Sequence, residues 1–141
     1  MCPAIAAFAN ASTDSAVHWV DLTNDWGCDF HKPDNNDEYE MACKTCTHGD
    51  YAPAKQLCSY LMEHTSTEFP SVNFKRALAC LNTQYHVSAW SHPSVERLSN
   101  RPIWSDHATM VRAPVVVGVE YLTDLKDSPE ILRISAKRRQ P

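Results

Sequence analysis

Residues 26–46, WGCDFHKPDNNDEYEMACKTC, place a tight constraint on the fold: Cys28, His31, Cys43 and Cys46 form a C-x2-H-x11-C-x2-C array. Each two-residue gap lets a tight knuckle present two soft ligands to one ion, which is the spacing of structural zinc sites. The same cysteines also suit a crosslinked loop, with Cys28 bonded to Cys43 or to Cys46. Against zinc, no glycine follows either pair, and the intervening segment offers little apolar material to fold around an ion. It carries Asp29, Asp34, Asp37, Glu38 and Glu40 against Lys32, and its Pro-Asp and Asn-Asn pairs mark it as loop. The disulfide-tied loop is the favoured expectation, with no cofactor. The alternative is a zinc-binding interaction domain, a subunit of a larger assembly, using Cys28, His31, Cys43 and Cys46.

The choice between metal and crosslink turns on the redox compartment. Residues 2–11, CPAIAAFANA, are small, apolar and uncharged, and Ala9-Asn10-Ala11 has the A-x-A form that a signal peptidase cleaves before a polar stretch. Residues 1–11 are therefore expected to be a signal-peptide remnant, residues 12–141 a single domain, and the compartment periplasmic or secreted. A variant of this reading keeps Cys2 as a lipid-anchor cysteine.

Two helices are legible. Ala54, Leu57, Cys58, Leu61 and Met62 fall at i, i+3, i+4, i+7 and i+8, which predicts an amphipathic helix over 53–64 with Pro53 in its first turn. Phe74, Ala77, Leu78 and Leu81 repeat the spacing and predict a second helix over 72–81, capped by Ser71 after Pro70. The short connection implies an antiparallel helical hairpin. Cys58 and Cys80 are equidistant from Phe69, so facing helices would bring their Cα atoms within the roughly 4.4–6.8 Å of a disulfide. Such a bond closes about twenty residues and stabilises by roughly 3 kcal/mol.

Strands are expected over 17–22, 85–90, 115–122 and 130–136, the last two as an antiparallel hairpin around TDLKDSP. The fold class is α+β: an antiparallel helical hairpin packed on a small, mostly antiparallel sheet.

Function classes narrow by exclusion. A net charge of −4 is wrong for a general nucleic-acid binder, and no apolar run approaches a membrane span. Only three glycines among 141 residues argue against a phosphate-cradling enzyme. Ser88, His92 and Asp106, or Cys46 with His48, can be imagined as hydrolase groups. Neither set has a local signature such as a nucleophile elbow, and the expectation is a protein that is not an enzyme. The equal spacings Cys58-x5-His64 and Cys80-x5-His86 are better explained by the hairpin crosslink than by a second metal site.

The hairpin CSYLMEHTSTEFPSVNFKRALACL, with a cysteine on each helix and an A-x-A segment ahead of it, resembles small periplasmic immunity proteins of Gram-negative bacteria. These guard against cell-wall- or membrane-attacking toxins of the type VI secretion system. The resemblance is architectural and covers about a third of the chain. It implies a binding protein that occludes the active site of a toxin or cell-wall-degrading enzyme. The acidic loop (Asp29, Asp34, Asp37, Glu38, Glu40) is the first candidate surface, since negative charge steers association with a basic cleft. The second is the helical tip HTSTEF, with His64 and Glu68.

Overall fold

The structure, a computed structural model, describes residues 1–26, 42–84, 86–98, 101–112, 114–123 and 129–139. Its elements in chain order are α1 (Cys2–Asn10), β1 (His18–Trp26), β2 (Ala42–His48), α2 (Ala52–His64), α3 (Pro70–Gln84), β3 (His86–Leu98), β4 (Arg101–Arg112), β5 (Val115–Thr123) and β6 (Glu130–Arg138). The expected α+β class holds. Among the described residues six strands form one antiparallel sheet in the order β2-β1-β6-β5-β4-β3.

The helices lie against one face of this sheet. Strand alternation explains why: Val20 and Leu22 of β1, Val117 and Val119 of β5, and Leu132 and Ile134 of β6 are buried beneath the helices. α2 covers β1 and β2, while α3 covers β4, β5 and β6. The apolar stripe read from the sequence is the buried side of α2, where Ala54, Leu57, Cys58 and Leu61 are inside and Met62 is at its exposed margin. α3 begins at Pro70, so the proline opens the helix where an N–H has no partner to lose, and Ser71 lies inside the first turn instead of capping it.

Within residues 1–11, expected to be a signal-peptide remnant, Cys2–Asn10 form a helix packed against the rest of the fold. α1 touches α2, α3, β5 and β6. Ile5, Phe8 and Ala9 are at most 1% exposed, and full burial of Ile5 and Phe8 contributes on the order of 1.5–3 kcal/mol each. The segment that follows is tied down too: Arg138 donates from its backbone N–H to the Asp14 carbonyl at 3.1 Å and from Nε to the Ser12 carbonyl at 3.1 Å. The exposed side of α1 carries Pro3, Ala7 and Asn10, and small uncharged residues there give the helix a composition like that of a leader.

The position of α1 also overturns the expected crosslink. Cys58 and Cys80 are not bonded to each other. Cys2 on α1 is bonded to Cys80 on α3, with Cα atoms 5.0 Å apart, and Cys46 on β2 is bonded to Cys58 on α2, at 5.6 Å. With α1 in contact with both helices, each cysteine meets a different neighbour. The bonded Cys2 has no free thiol to carry a lipid.

Four strands exceed or escape the sequence pattern. β1 continues through Trp26 instead of ending at Leu22, and β2 spans Ala42–His48, which includes Cys43 and Cys46 of the metal alternative. β3 extends to Leu98 and pairs with β4, which has no clear period-two signal. The register shifts between Val87 and Ala89 and between Ser91 and Ser94, and the second shift contains Pro93. A proline has no ladder N–H to offer, and a bulge is where a strand accommodates it.

Candidate functional site

The connection between α2 and α3, residues 65–69, is a surface turn held by two of the four polar or charged residues buried among the described residues. Asn24 (2% exposed) and Asn73 (0%) spend their side chains on it. Asn24 Nδ2 donates to the Thr67 carbonyl at 2.9 Å and to the Ser66 carbonyl at 3.3 Å. Asn73 Oδ1 accepts from the Ser66 N–H at 2.9 Å, and its Nδ2 donates to the Ser66 carbonyl at 2.7 Å. Lys44, the register partner of Asn24 across β1 and β2, donates from Nζ to the Thr65 carbonyl at 2.7 Å and to Thr65 Oγ1 at 3.3 Å. Burial holds the Lys44 ammonium below its ordinary pKa.

The turn is braced from within as well. Thr65 Oγ1 donates to the Leu61 carbonyl, Ser66 Oγ accepts from the Phe69 N–H at 3.0 Å, and Arg76 donates to the His64 carbonyl at 3.3 Å. A buried amide left without partners costs roughly 1–3 kcal/mol, so this arrangement is stable only while the turn keeps one conformation.

That fixed conformation leaves apolar side chains in solvent. Phe69 is 62% exposed and Val72 44%, and Glu68 is exposed beside them. His64, also exposed, stacks on Tyr60 with ring centroids 4.2 Å apart, and its Nδ1 donates to the Tyr60 carbonyl at 3.0 Å. A carbonyl only accepts, so this contact places the proton of the neutral ring on Nδ1. Of the side chains expected to bind a partner, the structure thus brings His64 and Glu68 to one tip. The signal that marks Phe69 as more than a loop residue, the reach of Asn24 from a strand 42 positions away, has no trace in local sequence.

The acidic candidates Asp29, Asp34, Asp37, Glu38 and Glu40 lie outside the described residues, as do Cys28 and His31. The zinc alternative does not survive the crosslinks. Cys46 is bonded to Cys58, and Cys43 is disulfide-bonded too, so neither is available as a thiolate ligand. Cys46 is for the same reason no nucleophile for His48, whose Nδ1 contacts the Gly49 carbonyl. Among the described residues no three His, Cys, Asp or Glu side chains are grouped to hold a metal ion, and no helix is long and apolar enough to cross a membrane. The side chains of Ser88, His92 and Asp106 lie outside the described residues.

Comparison of the chain with protein-family models, with curated proteins and with solved structures finds no match.

Proposed function

We propose that this chain is a protein-binding module of the immunity or inhibitor type, working in an oxidising compartment such as the periplasm and occluding a toxin or cell-wall-degrading enzyme with its α2–α3 tip. The observation that carries the reading is the commitment of two fully enclosed asparagines to one surface turn that exposes Phe69. An aromatic anchor on a turn that does not need to be ordered binds without the usual entropic cost, and such anchors dominate interface energetics. Glu68 and His64 are exposed at the same tip and add polar groups to it. The disulfides support the compartment, since such bonds persist where thiols are not kept reduced. In this reading the chain performs no catalysis and needs no cofactor.

The test is site-specific photo-crosslinking from position 69 in the envelope of the source cell. The expected result is one discrete protein adduct. Its purified partner should bind the Phe69→Ala variant at least about tenfold more weakly, a loss of about 1.4 kcal/mol, with an unchanged thermal midpoint. A partner that crosslinks only from exposed Lys137, away from the tip, or that binds Phe69→Ala as well as the parent, overturns the proposal.

A further inference from the structure

The face of the sheet turned away from the helices carries a groove of ≈ 370 Å³ lined by Val17, Trp19, Glu120, Arg133 and Ser135. Two neighbouring cross-strand rows build it. One runs Trp19, Ser135, Gly118 across β1, β6 and β5, and the next runs Asp21, Arg133, Glu120. The first row contributes Trp19 and Ser135 to the lining and is small beyond them: the Ser135 hydroxyl sits only 2.6 Å from where a Cβ on Gly118 would be. At its other end the Trp19 indole lies across Gly49, whose missing Cβ would meet Nε1 at 3.4 Å.

The second row sets the charge. Arg133 donates from Nε and NH2 to the two carboxylate oxygens of Asp21, each at 2.8 Å, and the Asp21 side chain is 12% exposed. This bidentate pair cancels the guanidinium within the wall. Glu120 adds a second carboxylate on the other side of Arg133, so the three groups sum to one negative charge next to an indole. A carboxylate with an aromatic face is the combination that attracts an organic cation, through direct charge and through the ring quadrupole. An anionic ligand meets the opposite field.

We propose that this groove binds an organic cation, a guanidinium or alkylammonium group, with Glu120 as its counter-ion and Trp19 as its aromatic wall. The site is on the opposite face from the α2–α3 tip, and its occupancy does not depend on the tip's role.

The test is a titration of 15N-labelled protein at pH 8 with N-acetyl-arginine amide and, in parallel, with its neutral isostere N-acetyl-citrulline amide. The expected result is saturable shifts at the Trp19, Glu120, Arg133 and Ser135 amides for the arginine compound alone. Glu120→Gln should weaken binding about fivefold or more at unchanged thermal midpoint, and Trp19→Leu should do so independently. An extended peptide with one central arginine distinguishes sources: tighter binding of the peptide identifies a partner's side chain as the occupant, and equal binding a free cation. Equal binding of the citrulline compound, shifts confined to other residues, or unchanged affinity in Glu120→Gln overturns the proposal.

Discussion

Asn73 holds the backbone of Ser66 through both of its hydrogen-bonding groups, accepting from the N–H at 2.9 Å and donating to the carbonyl at 2.7 Å. Replacement by alanine strands an enclosed N–H and leaves the carbonyl with only the 3.3 Å contact from Asn24. Asn73→Ala is expected to destabilise the protein by about 2 kcal/mol in urea unfolding, and Asn24→Ala by a similar amount. The two losses should not add, because both residues serve the same turn. Additive losses would mean that the asparagines act on separate parts of the fold.

The sulfur pattern gives a second prediction. Digestion without reduction should yield one peptide pair joining Cys2 to Cys80 and another joining Cys46 to Cys58, with none joining Cys58 to Cys80. The two bonds span 78 and 12 residues. In the chain-entropy model these lengths correspond to about 4.5 and about 3 kcal/mol. Paired Cys→Ala variants should therefore show the larger loss for Cys2/Cys80, which also frees α1. Equal losses, or a larger one for Cys46/Cys58, would show that the long loop is already restricted in the unfolded chain.

These two cases mark what the sequence could and could not reveal. Helical periodicity placed α2 and most of α3 because Ala54, Leu57 and Phe74 face the core in a way that only local spacing requires. Equal distance from Phe69 predicts a Cys58–Cys80 bond only if the two helices face each other, and α1 occupies contacts with both. α1 was hidden because its exposed positions include Pro3 and Ala7 beside Asn10, so the buried stripe Ile5, Phe8 and Ala9 has little polar contrast to set it off. β4 has no period-two pattern of its own, and β2 carries the Cys43 and Cys46 spacing of a metal knuckle. At the candidate site, HTSTEF was legible as an exposed tip. Its rigidity depends on Asn24 and Lys44, which reach it from distant strands, and no local pattern encodes such a contact.

The third prediction concerns Gly118, the cross-strand neighbour of the groove residue Ser135. Gly118→Ala places a Cβ 2.6 Å from Ser135 Oγ, so the hydroxyl must rotate or the strands must part. The expected cost is about 1 kcal/mol. In a Ser135→Ala background the clash disappears, and the same change should become neutral or stabilising, because alanine loses less backbone entropy than glycine in a strand. Thermal unfolding of the four proteins in this cycle measures the coupling directly. A Gly118→Ala cost that persists in the Ser135→Ala background would place the obstruction elsewhere.

The fourth follows from Tyr121, whose ring stacks on Phe74 with centroids 5.5 Å apart and whose hydroxyl donates to Glu130 Oε1. Burial, then the hydrogen bond to Glu130, then that carboxylate's charge all push the phenol well above its ordinary pKa. The folded state thus keeps Tyr121 neutral at a pH where the unfolded chain ionises it, near 10. The stability this provides is complete below about pH 10 and is lost as pH rises toward the folded value, because the unfolded state releases its proton first. Tyr121→Phe lacks the titration, so it should be less stable than the parent at pH 8, and the gap should narrow between about pH 10 and 11. Tyr51 is raised in the same direction, while Lys44 and the N-terminal amine are lowered and oppose it, but all three are common to both proteins and cancel in the difference. Unfolding midpoints of the pair at pH 8, 9.5 and 10.5 test this, and a gap that stays constant across the series would mean that Tyr121 ionises as readily in the folded protein as in the unfolded chain.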